Sequence, residues 1–229
     1  SNGLRAVQLP GSVNCAFLPH ARYTRRLAIV AHKLNKEVML HLPMEAENEQ
    51  SPGPGALTLS MTQEEFITTF QDDLAAVPYA TGVNNHMGSL ITRHPGHMSW
   101  LMQEIYRQGN LFFVDSRTTV ATVAQQVAQE SDVPNLRRNI FLDNDQRPEA
   151  IAQQFAHLLA LAKRHGSAVA IGHPHSATLH FLEQQLPHLG EQGVQLISAS
   201  QLIALKQHPK TIYAAKTLEI SPIGIVVTQ

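Results

Sequence analysis

The side chains able to do chemistry in this chain gather where apolar runs end: His41-Leu42-Pro43-Met44-Glu45, Asn84-Asn85-His86-Met87-Gly88-Ser89, Asp115-Ser116 and His173-Pro174-His175. A neutral imidazole is a natural zinc ligand, and the same ring moves protons near neutral pH. A lone histidine is more often a buried structural residue than a ligand. Ligands for one ion must converge from separate elements, so two histidines at neighbouring strand ends, His41 and His86, tip the reading toward a metal. His41 and Glu45 have the i, i+4 spacing of a helical ligand pair, but Pro43 between them argues against a helix, and any meeting must come from a turn.

Asp115 has two open readings. It orients a ligating imidazole or acts as an acid or base, or it caps a helix starting near Thr118. His173 follows Ala168-Val169-Ala170-Ile171-Gly172, where Gly172 lets backbone or ligand approach closely. It is the better candidate for a general acid that protonates a leaving amine. Asp143-Asn144-Asp145 reads as a turn and cap. The remaining histidines read as surface residues, with His20 and His94 as contacts at the rim. A triad of Ser116, His173 and Asp115 can be assembled, yet no Gly-x-Ser-x-Gly occurs, so a metal-independent esterase ranks last.

Positioning these groups requires strands. Val13 to Leu18, Glu37 to Leu42, Ala80 to Asn84, Leu111 to Asp115, Arg138 to Leu142, Ala168 to Gly172 and Val194 to Ser198 are short and apolar with little alternation, the pattern of parallel strands covered on both faces. Helical patterns lie between them. Arg22 to Leu34 is one; Thr62 to Val77 opens with a capping box through Glu65. Pro95 to Gln108 and Arg147 to His165 start at proline and stop at Gly109 and Gly166. Repeated strand-then-helix units bring the strand ends to one rim, where parallel α/β proteins place active sites. Glu45 to Leu59, with Ser51-Pro52-Gly53-Pro54-Gly55, is a long arm leaving that rim, either a lid or substrate wall or a floppy insertion.

Composition narrows the partners. At 229 residues, 43% hydrophobic and 15% charged, the chain has the size of one α/β barrel domain. Seventeen basic against eighteen acidic residues and no Lys/Arg-rich run point away from nucleic acid. No apolar span is long enough for a transmembrane helix, no signal peptide is expected within these residues, and no protein partner is expected. Cys15, the single cysteine, reads as a small core residue. The expected domain is 1–208, with 209–229 an extension that is at most an edge strand.

Together these motifs resemble the divergent polysaccharide deacetylase family, the YibQ-like proteins of bacteria, from Leu4 to about Leu205. The resemblance implies a distorted (β/α) barrel related to the NodB-type carbohydrate esterases, which use a divalent metal, most often zinc, to remove acetyl groups from N-acetylated sugars. It implies a glycan substrate in the cell envelope and a periplasmic or extracytoplasmic home. By position His41 looks like the first histidine of the metal motif; His86 replaces an arginine-type motif and is expected to join His41 as a ligand in a rebuilt set. Glu45 stands where a second histidine would be and joins Asp115 and His173 as catalytic residues, with Asn85, Ser116 and His175 expected to bind substrate. The family usually opens with a strand ending in Asp-Asp, which supplies a ligand and the base. That strand is expected to be missing here, and the segment near Ile223 to Val227 is the candidate to fill its place. The alternative reading is a carbohydrate-binding or scaffold protein that keeps the fold and has lost turnover.

Overall fold

The structure, a computed structural model, describes residues 1–48, 50–207 and 220–229. In chain order its elements are α1 (Asn2–Val7), β1 (Asn14–Phe17), α2 (Thr24–Lys33), β2 (Glu37–Met44), α3 (Gln63–Ala76), β3 (Ala80–Met87), α4 (Pro95–Gln108), β4 (Phe112–Asp115), α5 (Ala124–Glu130), β5 (Asn135–Arg137), β6 (Ile140–Phe141), α6 (Pro148–His165), β7 (Ala168–Gly172), α7 (Ser176–Gln185), β8 (Val194–Leu196), α8 (Ala199–Gln207) and β9 (Ser221–Thr228). The described strand pairings are parallel, as expected of strands alternating with helices.

Two compact units divide the chain. One holds Ala16–Ile29 and Val38–Arg137; the other holds Ser1–Cys15, Val30–Glu37 and Arg138–Gln229.

In the first unit β2 pairs with β3, β3 with β4 and β4 with β5. The helix punctuation acts as the residue types dictate. Thr62 and Glu65 close both bonds of the capping box on α3, and Gly109 ends α4 in the left-handed region at φ 77°. Phe66, Phe70, Leu101, Met102 and Phe113 are buried. Two strands outrun their expected ends. β2 continues through Pro43 to Met44, and β3 through His86 to Met87. The asparagines and His86 therefore sit on strand backbone rather than in a tight loop, and the turn comes at Met87 and Gly88, both at positive φ.

In the second unit β6 pairs with β7 and β7 with β9, over a core that includes Leu9, Val13, Phe155, Leu158, Leu179 and Ile225. The terminal segment corrects an expectation. Ile223 pairs with Ala168 of β7 and with Leu196 of β8, so β9 has neighbours along both edges and residues 223–228 are buried. It is an interior strand because Ile223, Ile225 and Val227 join the core; Pro222 is accommodated near its start, where a missing amide does least harm. Residues 209–219 of the expected extension lie outside the described residues. Cys15 is fully buried, and burial pushes its thiol up to about 12 even with Lys36 nearby, so it remains protonated at neutral pH.

Candidate functional site

Strand register explains the first cluster. His41 lies opposite Asn84 and Pro43 opposite His86. Since alternate residues share a face, His41, Asn84 and His86 project from one side of the β2–β3 pair. Their side chains form a line. His41 Nδ1 lies 3.1 Å from Asn84 Oδ1, and His41 Nε2 lies 3.0 Å from His86 Nδ1. Asn84 Nδ2 donates to Ser116 Oγ at 3.2 Å, which leaves its oxygen to accept from His41 Nδ1–H. That tautomer puts the lone pair of His41 on Nε2, facing His86. Two imidazole nitrogens on one zinc stand roughly 3.3 Å apart at tetrahedral geometry, so the 3.0 Å pair needs little movement to take an ion in place of the shared proton. His41 is only 5% exposed. The donor set fits a metal, with Asn84 as the outer partner that fixes ring orientation.

The neighbours expected to work with this pair have other engagements. Glu45 Oε2 accepts from the Leu59 amide at 2.7 Å, while the Glu45 carbonyl accepts from the amides of Leu90 and Ile91. The residue ties the 45–59 arm to the segment following His86. Asn85 points to the opposite face: its oxygen accepts from the Ser116 amide and its nitrogen donates to the Met87 carbonyl. Asp115 accepts from the Arg117 amide at 2.8 Å and from Thr122 Oγ1 at 3.0 Å. Burial raises its carboxyl above the ordinary value although these donors pull the other way. It organises the 115–122 turn, and the helix beyond starts at Ala124 rather than near Thr118.

The second cluster contains a residue that sequence reasoning assigned to a turn. Asp143 is 3% exposed. Its Oδ1 accepts from His173 Nδ1 at 2.9 Å, and its Oδ2 accepts from the His173 amide at 2.6 Å and Thr178 Oγ1 at 2.8 Å. Burial alone would raise this carboxyl; the His173 ring and amide, the charge of His173 and the Thr178 hydroxyl outweigh it and hold the carboxyl below its ordinary value. Asp143 is thus held as an anion. With Nδ1–H committed to Asp143, His173 Nε2 is the nitrogen left for chemistry. Gly172 packs into this corner, where a Cβ would stand 3.3 Å from Leu142 and 3.5 Å from Asp143 Oδ2. The His173 ring also lies near Phe141 at 6.3 Å between centroids and His175 at 5.6 Å, and His175 Nε2 is 3.2 Å from Gln146.

Asp143, His173 and His175 can each offer a ligand atom within 4.8 Å of the others, a second possible metal site. The three donors already on Asp143 suit a carboxylate that orients an imidazole better than one that ligates an ion. The signal for Asp143 was present in the sequence: it ends the apolar run Ile140-Phe141-Leu142 just as Asp115 ends its own run.

The family model described as divergent polysaccharide deacetylase matches residues 2–203. The chain is 37% identical over 202 residues to the uncharacterized protein YibQ of Escherichia coli K12, covering 88% of this chain and 63% of that protein. It is 34% identical to an uncharacterized protein of Haemophilus influenzae, covering 85% and 69%. The structure of uncharacterized protein ATU2773 from Agrobacterium tumefaciens C58 superposes with a TM-score of 0.84 at 20% identity, over 88% of this chain and 82% of that one. That likeness carries the fold alone, an α/β fold of parallel strands and helices. The chain spans less than two thirds of the E. coli protein, and with a family model matching nearly its whole length it belongs to the divergent polysaccharide deacetylases.

Proposed function

We propose that the chain carries the working residues of a metal-dependent deacetylase that hydrolyses the N-acetyl amide of an envelope glycan in the periplasm. The observation that supports it most is the 3.0 Å approach of His41 Nε2 to His86 Nδ1, with Asn84 fixing the His41 tautomer. His41 and His86 would hold the ion. Zinc, when bound, supplies a positive charge that polarises the acyl carbonyl and makes a water molecule more acidic. Asp143 fixes the His173 ring through Nδ1, which leaves Nε2 able to take up a proton and give it back. The test is acetate release from N-acetylglucosamine oligomers by the full-length protein with and without zinc. His41→Ala and His173→Ala should each abolish turnover. Activity that survives both substitutions overturns the reading.

A second reading has its own support. Glu45 and Asp115, the carboxylates expected among the catalytic residues, are bonded to backbone amides. We therefore also consider a glycan-binding protein without turnover. Saccharide binding that persists in His41→Ala, with no acetate released by the wild type, would select it.

A further inference from the structure

Residues 50–59 of the arm are held at three places within their unit. Its Leu57 amide donates to Pro43 and its Leu57 carbonyl accepts from Glu45; its Leu59 amide donates to the Glu45 carboxylate; and Gly55, at φ 81°, rests against Asp73 so closely that a Cβ there would overlap the carboxylate. Asp73 lies on α3 and is fully buried. His20, in the turn after β1, reaches Oδ1 at 2.8 Å, with its side chain 40% exposed. Oδ2 is buried and has no hydrogen-bond partner among the described residues. Neither residue belongs to the clusters described above.

We propose that Asp73 and His20 form a proton-operated latch, which seats the arm on α3 while the pair shares a proton and loosens it when that proton leaves. With one proton between Oδ1 and Nε2, Oδ2 is a carbonyl-type oxygen, and leaving it unbonded costs far less than leaving a carboxylate oxygen dry. Once the carboxylate ionises, Oδ2 needs water, and Gly55 crowds the whole carboxyl group, a Cβ there overlapping Oδ1 and falling 2.9 Å from Oδ2. Desolvation raises the Asp73 carboxyl to about 7, against the bond and charge of His20 and with help from Asp72. Those are the charges acting on it from its own helix and from the β1 turn; residues 50–59 of the arm carry no titratable side chain, while its start carries Glu45, Glu47 and Glu49, of which Glu45 bonds the Leu59 amide. The sign follows from a folded value above the unfolded one: the latch is fully set below the ordinary carboxylate range and is lost as pH rises through about 7. The latch thus couples proton concentration to how firmly the arm is held beside the strand that carries His41.

Amide hydrogen exchange tests this, read as protection factors so that intrinsic pH dependence cancels. Protection at Leu57 and Leu59 should fall by on the order of tenfold between about pH 6 and about pH 8. Asp73→Asn, neutral at both values and still able to bond His20, should show flat protection. His20→Ala removes the partner that holds the Asp73 proton affinity down, so the midpoint should move to higher pH. Flat protection in the wild type, an undiminished fall in Asp73→Asn, or a midpoint that stays put or drops in His20→Ala each overturns the latch. If Asp73→Asn does not fold, the direction of the His20→Ala shift still decides.

Discussion

Asp115 and Asp143 occupy matching places in their units. Each ends an apolar run, each is nearly fully buried, and each accepts a backbone amide and a threonine hydroxyl. Their electrostatics diverge nonetheless: burial wins at Asp115 and raises its carboxyl, while the donors win at Asp143 and lower it. The difference is one imidazole. Asp143 faces His173, whose ring supplies a hydrogen bond and a charge, whereas Asp115 has the Arg117 and Gln125 amides, one hydroxyl from Thr122 and the charge of Arg117, which together do not offset its burial. Position at a strand end makes a carboxylate a candidate; a titratable partner makes it part of a reaction.

The largest expected effect breaks or sustains that contrast directly. General acid catalysis contributes roughly 10²- to 10⁴-fold, and an imidazole that has lost its orienting carboxylate should lose most of it. Asp143→Asn should therefore cut acetate release by about that range in kcat, while Asp115→Asn, which leaves the His173 environment untouched, should stay within about tenfold of wild type. Steady-state kinetics on both variants checks it. A larger loss in Asp115→Asn would return that residue to the chemistry and reduce Asp143 to the turn it was first read as.

Zinc binding sharpens the same comparison from the side of the metal. Removing a ligand should cost more than the 10- to 100-fold typical of losing an outer partner, so His41→Ala and His86→Ala should weaken zinc by more than about 100-fold in calorimetry. Asn84→Leu frees the His41 tautomer and should cost about tenfold. Asp143→Asn should leave affinity unchanged if its carboxylate serves His173. The reverse result, affinity lost in Asp143→Asn and kept in His41→Ala, would place the ion at Asp143, His173 and His175.

Much of this was legible in the residues, and the rest was hidden for identifiable reasons. Helix starts and stops at Thr62, Pro95, Gly109 and Gly166 follow from local backbone chemistry, which sequence displays openly. The His41–His86 pairing was readable because both end apolar runs, but their register was not: β3 had to extend through Asn84-Asn85-His86, residues poor in strand propensity, because β2 pairs with them. The parity that turns Asn84 toward His41 and Asn85 away depends on that register. Asp143 was misread because three polar residues before a helix look like a cap, and its partner lies 30 residues on in sequence. β9 escaped because proline and glycine suggested an edge, while its long-range pairing with β7 supplied the burial.

The smallest expected effect is also the cleanest, since it needs neither substrate nor metal. A folded carboxyl held below its unfolded value stabilises the protein above the ordinary carboxylate pKa of about 3.9, and that contribution is lost as pH falls through the lower folded value. Asp143 is of this kind, so Asp143→Asn should cost about 2 kcal/mol at neutral pH, and the deficit should shrink on going to about pH 3. Asp115 runs the other way. Its folded value is raised, so its contribution is full below about 3.9 and is lost as pH climbs. Asp115→Asn should then cost about 1 kcal/mol or less at neutral pH and more in acid. Chemical denaturation of wild type and both variants at the two pH values reads these slopes. Slopes of the same sign would mean that His173 does not distinguish the two carboxylates, and the assignment of Asp143 to proton chemistry would lose its physical basis.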